Sequence, residues 1–225
     1  MCPTHPFGFF PKPSENITPY NYRETPFNFG LRERTWVTAL ARPDFGEQDP
    51  NYALNYLKEH QVGTIFGLDA SPELITLAKR LGMDYVDVTI PDFSAPNIEL
   101  FDQIYNKIIE QAVAGKKVAI HCQGGNGRTG TVLAAMKLKE LSANALFYAS
   151  DNTMNNYISV TCRERDIVPC TANVRAAVLA IRRTEGNEAA VEVEIQIDSL
   201  CRYETFLRKN HLEARVEEDL TTRMS

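Results

Sequence analysis

Residues 122–128 combine a cysteine, three glycines and an arginine within seven positions, Cys-Gln-Gly-Gly-Asn-Gly-Arg. Glycines let the backbone curl tightly and turn its N–H groups inward, which makes a concave anion site. The planar, always charged guanidinium of Arg128 suits two oxygens of a phosphate. The pattern therefore predicts a phosphate-binding loop. Its predicted binding residues are Gln123, Gly124, Gly125, Asn126, Gly127 and Arg128.

The same electrostatic field acts on the sulfur of Cys122, at the start of this loop. A thiol that faces N–H dipoles, a helix N-terminus and a guanidinium is favoured as a thiolate, which is the nucleophilic form. We expect Cys122 to attack phosphorus, with the Thr129 hydroxyl donating to its sulfur to make it a better leaving group. His121 is expected to brace the loop through hydrogen bonds rather than to transfer protons.

Two other interpretations of this stretch are weaker. A buried cysteine is often only a small apolar side chain, and glycine-rich turns before helices are common. The combined pattern of His121, Cys122, the glycines, Arg128 and Thr129-Gly130 makes coincidence a poor explanation. A Walker phosphate loop fits less well, because no Gly-Lys-Ser/Thr closes the stretch.

Strands and helices alternate along the chain around this loop. Apolar runs predict strands at 36–41, 62–68, 85–90 and 117–121, and apolar stripes at helical spacing predict helices from Asp49-Pro50, from Ser71-Pro72 and over 97–114. This alternation predicts an α/β fold with a central, mainly parallel sheet flanked by helices on both faces. Ligands bind such sheets at the carboxyl ends of the strands, where Cys122 falls.

The sequence predicts that the chain has three parts. Residues 1–34, rich in proline and aromatic residues, are expected to form an irregular arm across the domain, with a groove-binding partner segment as the alternative. Residues 35–210 form the predicted catalytic domain, with an insertion at about 142–171 that suits a lid, a recognition loop or a partner surface. Residues 211–225 form a polar tail.

The motif His121-Cys122-x-x-Gly125-x-Gly127-Arg128-Thr129-Gly130 resembles the signature of the protein tyrosine phosphatase superfamily. The resemblance implies the cysteine-dependent phosphatase fold and a two-step mechanism through a thiophosphate intermediate. It also implies an aspartic acid on a separate loop, which first protonates the leaving oxygen and then activates water. Asp92, in Ile-Pro-Asp-Phe-Ser-Ala-Pro, is the candidate; Asp87 and Asp84 are the alternatives.

The short interval between Asp92 and Cys122 and the Ile-Pro-Asp context resemble the small, atypical dual-specificity phosphatases. Further along, Val191-Glu192-x-x-x-Gln196 resembles the helix that ends their domain. The resemblance implies that Glu192 or Gln196 helps to orient the water or the acid loop. The alternative is that both are exposed polar positions on the last helix.

The resemblance implies phosphorylated proteins as substrates, with phosphotyrosine ahead of phosphoserine and phosphothreonine. Loop lysines favour phosphoinositides in related lipid phosphatases, and residues 123–127 contain none. A phosphoinositide phosphatase, an RNA 5'-phosphate phosphatase and a non-catalytic phosphate-binding module remain alternatives. No metal or other cofactor is expected, because the loop amides and Arg128 supply the electrophilic stabilisation.

Composition sets broad limits on the class of protein. The 225 residues are 44% hydrophobic and 24% charged, which is ordinary for a globular domain, and the net charge of −5 argues against a nucleic-acid partner. No apolar run approaches the roughly 20 residues that span a bilayer. Five scattered cysteines and the lack of a signal pattern predict an intracellular, cytoplasmic protein with reduced thiols.

Overall fold

The computed structural model describes residues 18–144, 159–161, 167–186 and 188–224. The main-sheet strands are β1 (Arg23–Phe27), β2 (Thr35–Ala41), β3 (Val62–Gly67), β4 (Asp84–Asp87) and β5 (Lys117–Cys122). The helices are α1 (Pro50–Glu59), α2 (Pro72–Arg80), α3 (Ile98–Val113), α4 (Gly127–Ala143), α5 (Ala172–Glu185) and α6 (Glu194–Met224). Two short strands, β6 (Ser159–Thr161) and β7 (Ile167–Pro169), lie between α4 and α5.

The five-stranded sheet has the order β1-β2-β5-β3-β4. Strands β2, β5, β3 and β4 are parallel, and only β1 runs antiparallel to its neighbour β2. Helices α1 and α2 share one buried cluster with the sheet, and α3 to α6 share the cluster on the other face. The predicted α/β fold, with a mainly parallel sheet between two helical layers, is confirmed.

Three helices begin where their sequence signals predicted. The side chains of Asp49, Ser71 and Asn97 accept hydrogen bonds from N–H groups in the first turns of α1, α2 and α3. Pro50 and Pro72 occupy the first helical position, where a missing N–H costs nothing. These caps fix the residues at which the loops that follow β2, β3 and β4 end.

The irregular arm predicted for residues 1–34 is wrong for its second half. Arg23–Phe27 forms β1, which pairs along its whole length with β2. Pro26 is tolerated because β1 is an edge strand, where a residue without an N–H need not break the ladder. Phe27 and Phe29 are buried in the larger core cluster, which accounts for aromatic residues in this segment. The first half of the arm, 1–17, lies outside the described residues.

Two other predicted segments gain detail. Within the insertion at about 142–171, β6 and β7 pair as an antiparallel ribbon; residues 145–158 and 162–166 lie outside the described part. The predicted polar tail at 211–225 continues the backbone of α6 as far as Met224. Within the ranges that the structure describes, no helix is both long enough and apolar enough to cross a membrane.

Candidate active site

The phosphate loop joins β5 to α4 at the carboxyl edge of the sheet. Cys122 is the last residue of β5 and is 3% exposed, and α4 begins at Gly127. Gly125 has a positive φ of 74°, and a Cβ there would lie 2.6 Å from the carbonyl carbon and oxygen of Leu40. The turn therefore requires glycine at this position on both conformational and steric grounds.

Arg128 lies 4% exposed at the end of the loop and joins three segments of the chain. Its Nη1 donates to the carbonyl oxygens of Leu68 at 3.2 Å and Ile90 at 2.8 Å. Its Nη2 lies 3.0 Å from Oδ1 of Asp92. Its Nε is buried and has no hydrogen-bond partner among the described residues, which leaves a donor for an anion.

Asp92 lies on the loop between β4 and α3, opposite the phosphate loop, and is 51% exposed. Of the three acids considered from the sequence, it is the one paired with Arg128. Asp87 instead accepts hydrogen bonds from the N–H and hydroxyl of Thr89. Asp84 lies at the other end of β4, 3.9 Å from Lys107 Nζ.

His121 is fully buried beneath the loop. Its Nε2 lies 2.6 Å from the hydroxyl of Tyr85, and its Nδ1 lies 3.4 Å from the carbonyl oxygen of Cys122. Burial lowers the pKa of His121 to about 4, so the ring is neutral at neutral pH. A neutral ring with Nδ1–H directed at the carbonyl accepts from Tyr85 at Nε2. These contacts suit a brace and leave the ring no path for proton transfer to substrate.

The hydroxyl of Thr129 is buried and makes no hydrogen bond within the described part of the chain. The hydrogen bond predicted from this hydroxyl to the sulfur of Cys122 is therefore not formed in this structure. Thr129 lies in the first turn of α4, whose residues are all buried.

Gln196 is completely buried, which contradicts the alternative of an exposed position. Its Oε1 accepts from the N–H of Glu192 at 2.7 Å, and its Nε2 donates to the carbonyl oxygen of Ser94 at 3.1 Å. Gln196 therefore ties the loop that carries Asp92 to the start of α6.

Glu192 precedes α6 rather than lying on it. Its carboxylate lies close against Gly127, where a Cβ would come within 2.2 Å of Oε2. The preceding residue, Val191, has a φ of 63°, an unfavourable value for a β-branched residue. The strained turn brings a carboxylate to the end of the phosphate loop, and a side chain larger than glycine at position 127 would require Glu192 to move.

An open cleft of about 550 Å³ lies between the phosphate loop and the Asp92 loop. It is lined by Arg42, Asp69, Thr89, Ile90, Pro91, Asp92, Gln123 and Arg128. Arg42 was not predicted as a site residue, because nothing adjacent to it in sequence suggests chemistry. Its Nε lies 2.6 Å from Asp44 and its Nη1 lies 3.1 Å from Asp69.

Sequence reasoning also missed Asn21 and Arg23, whose side chains donate to carbonyl oxygens of the phosphate loop. They lie about a hundred positions before the loop, so no local motif connects them to it. No group of three or more His, Cys, Asp or Glu side chains within the described ranges is placed to hold a metal ion.

Comparison with known proteins finds similarity to phosphatases. Residues 45–140 match a family model described as a polymorphic toxin system DSP-PTPase phosphatase. The chain is 33% identical over 96 residues to the tyrosine-protein phosphatase cdc-14 of Caenorhabditis elegans, and 29% identical over 154 residues to the dual specificity protein phosphatase CDC14B of Mus musculus. These alignments include 43% and 62% of this chain. These matches support the resemblance to the protein tyrosine phosphatase superfamily.

These matches also confirm the resemblance to the small, atypical dual-specificity phosphatases, which the short interval between Asp92 and Cys122 and the Ile-Pro-Asp context predicted. The alignments span 13% of the nematode protein and 30% of the mouse protein, so the chain corresponds to a minor part of each.

Solved structures of the superfamily share the fold. The active form of Tk-PTP has a TM-score of 0.52 at 23% identity, with 80% of this chain and 96% of that chain covered. Kinase associated phosphatase with its catalytic-site cysteine changed to serine has a TM-score of 0.57 at 17% identity, covering 86% and 98% of the two chains. The cysteine-dependent phosphatase fold is thereby confirmed.

Proposed function

We propose that this chain is a cysteine-dependent phosphatase that hydrolyses phosphomonoesters of phosphoproteins, on phosphotyrosine and on phosphoserine and phosphothreonine. The observation that carries the proposal is the pairing of Asp92 with Arg128 across the cleft, at the end of the loop that begins with Cys122. Cys122 and Arg128 bracket the phosphate loop, and Asp92 reaches Arg128 from the facing loop with 3.0 Å between Nη2 and Oδ1. A nucleophile, an anion clamp and a carboxyl group are the parts that this chemistry requires.

In the first step, loop amides and Arg128 hold the phosphate while the Cys122 thiolate attacks phosphorus. The phosphorus–sulfur bond forms as the ester phosphorus–oxygen bond breaks, and protonated Asp92 gives its proton to the leaving oxygen. In the second step, the Asp92 carboxylate takes a proton from water, whose oxygen attacks phosphorus. The phosphorus–sulfur bond then breaks, which releases inorganic phosphate and restores the thiolate.

The contact between Asp92 and Arg128 connects substrate binding to this proton transfer. A phosphate that binds Arg128 through two donors takes Nη2, which Asp92 holds, together with the unpartnered Nε. Asp92 is then displaced by a short distance, within reach of the leaving oxygen. Because its side chain is half exposed, this displacement disrupts no buried packing.

The charges around the cleft support a substrate with a single phosphate. Among the residues that the structure describes, two cations line it: Arg42 is paired with two carboxylates and Arg128 with one. Headgroups with several phosphates and RNA 5'-triphosphates need a surplus of positive charge, which these pairs do not leave. The names of the matched relatives, which describe tyrosine and dual-specificity protein phosphatases, agree with this choice.

A substrate panel tests the proposal. Phosphate release is measured from one peptide carrying phosphotyrosine, phosphoserine or phosphothreonine, from vesicles containing a phosphoinositide, and from RNA with a 5'-triphosphate. We expect kcat/KM to be highest for the phosphotyrosine peptide, with the other two peptides next and Cys122→Ser inactive on all. Faster release from the vesicles or RNA would contradict the proposal that phosphoproteins are the substrates. No release from any substrate would contradict the proposal that the chain is a phosphatase.

A further inference from the structure

Three consecutive carbonyl groups of the phosphate loop are each bonded to a donor outside the loop. The carbonyl oxygen of Gln123 accepts from the backbone N–H of Arg42 at 3.0 Å. The carbonyl oxygen of Gly124 accepts from Asn21 Nδ2 at 2.7 Å, and that of Gly125 accepts from Arg23 Nη2. Two of the three donors are therefore side chains from the segment before and within β1.

These bonds fix the direction of the loop amides. In a planar trans peptide the C=O and the next N–H point to opposite sides, so a carbonyl held outward turns the following N–H inward. The carbonyls of residues 123–125 are held by these donors, so the N–H groups of residues 124–126 are directed away from them. Inward-directed amides are what makes such a loop an anion site.

The backbone that carries the two side-chain donors is itself anchored. The carbonyl oxygen of Tyr20 accepts from the N–H of Ala41 at 2.9 Å, and the N–H of Tyr20 donates to Gln48 Oε1 at 2.6 Å. Arg23 is paired with Ala39 in the ladder between β1 and β2. Asn21 adopts a φ of 54°, a conformation that asparagine tolerates better than most residues. The donors therefore start from fixed positions.

We propose that Asn21 and Arg23 are positioning residues for phosphate binding. They hold the carbonyls of Gly124 and Gly125 outward, and thereby keep the loop amides directed at the phosphate. The phosphate site then depends on a segment that precedes residues 45–140, the part matched by the family model. The effect on turnover rests on the proposed function, whereas the effect on anion binding does not.

Two variants remove the donors separately. Asn21→Gly deletes the amide while accepting the positive φ, and Arg23→Met keeps an unbranched apolar side chain without donors. Tungstate, a tetrahedral oxyanion, serves as the probe, and its Kd is measured by calorimetry beside kcat/KM for an aryl phosphate. We expect each variant to raise the tungstate Kd and lower kcat/KM about tenfold, as for a lost hydrogen bond of ordinary strength. Exposed Arg32, changed to Met, is the charge-matched control and should match wild type.

Urea unfolding of each variant separates positioning from general stability. A tungstate Kd within twofold of wild type for Asn21→Gly, whether or not the variant is less stable, would overturn the proposal. If Arg23→Met does not fold, Asn21→Gly still decides the matter, because glycine fits the backbone there. If the variants bind tungstate more weakly than wild type but wild type releases no phosphate from any ester, the positioning role stands and the proposed function is refuted.

Discussion

The phosphate loop and the loop that carries Asp92 face each other across the cleft but are held in different ways. Cys122 and Arg128 are 3% and 4% exposed, whereas Asp92 and Phe93 are 51% and 50% exposed. The phosphate loop continues directly from a buried strand into a buried helix. The Asp92 loop is held by hydrogen bonds from elements distant in sequence, including one from Ser199 to the carbonyl of Pro96 at 2.5 Å.

In the proposed mechanism, this difference separates anion binding from proton transfer. An anion site works best when its dipoles are fixed before the ligand arrives, because no free energy is then spent on orienting them. A general acid must approach the ester oxygen after substrate has entered, which suits a half-exposed side chain. Four substitutions test this comparison, and the first has the largest expected effect.

Replacing Cys122 by Ser removes the nucleophile and leaves the loop backbone in place. We expect kcat/KM for an aryl phosphate to fall on the order of 10⁴-fold or more, with tungstate binding retained. Steady-state kinetics and calorimetry make the two measurements. Cys201→Ser, away from the cleft, is the matched control and should retain activity. Equal activity in Cys122→Ser and wild type would assign the chemistry to another group.

Replacing Arg128 by Lys keeps the charge but removes the planar fork. We expect kcat/KM to fall about 10³-fold, because a lysine cannot make the two parallel hydrogen bonds of a guanidinium. The carbonyls of Leu68 and Ile90 also lose their donor, so thermal unfolding should show a lower Tm. Exposed Arg80→Lys is the control. A change confined to Tm would show that Arg128 holds the loops together without binding substrate.

Replacing Asp92 by Asn removes the proton donor from the more exposed loop. We expect kcat to fall about 10²-fold for an alkyl phosphate. The wild-type rate should decline at high pH, where the acid has lost its proton, and this decline should be absent in the variant. Steady-state kcat and the pH profile of kcat/KM are both measured, with Asp84→Asn as the control. A profile that keeps its high-pH decline in Asp92→Asn would assign the acid to another residue.

Replacing His121 by Gln tests the brace beneath the phosphate loop, with less than about tenfold effect expected on kcat. The pKa of His121 is lowered from 6.5 to about 4 by burial, so the unfolded chain binds the proton more readily between these pH values. The contribution of His121 to the free energy of unfolding is on the order of 3 kcal/mol above pH 6.5, and it is lost as the pH falls toward 4. Urea unfolding across this range should show a smaller loss in the variant. Equal losses in both would exclude the histidine as the cause.

Much of the site could be predicted because its parts are contiguous in sequence. The loop from Cys122 to Arg128 lies between a strand and a helix whose apolar patterns are clear, and the Ile-Pro-Asp context marked Asp92 through the family resemblance. β1 was missed because proline at that density argues against a regular strand. At the edge of a sheet, tertiary pairing with β2 overrides that local preference.

The sequence by itself determined the α/β class, the starts of α1, α2 and α3, and the residue types of the loop from Cys122 to Arg128. Those properties follow from local periodicity, capping and backbone geometry, which act over a few residues. Only the tertiary structure decided that Asp92 pairs with Arg128, that Asn21 and Arg23 hold the loop carbonyls, and that the Thr129 hydroxyl lacks its predicted bond. Such contacts depend on how strands and helices pack. A local sequence pattern does not show which distant side chains come into contact.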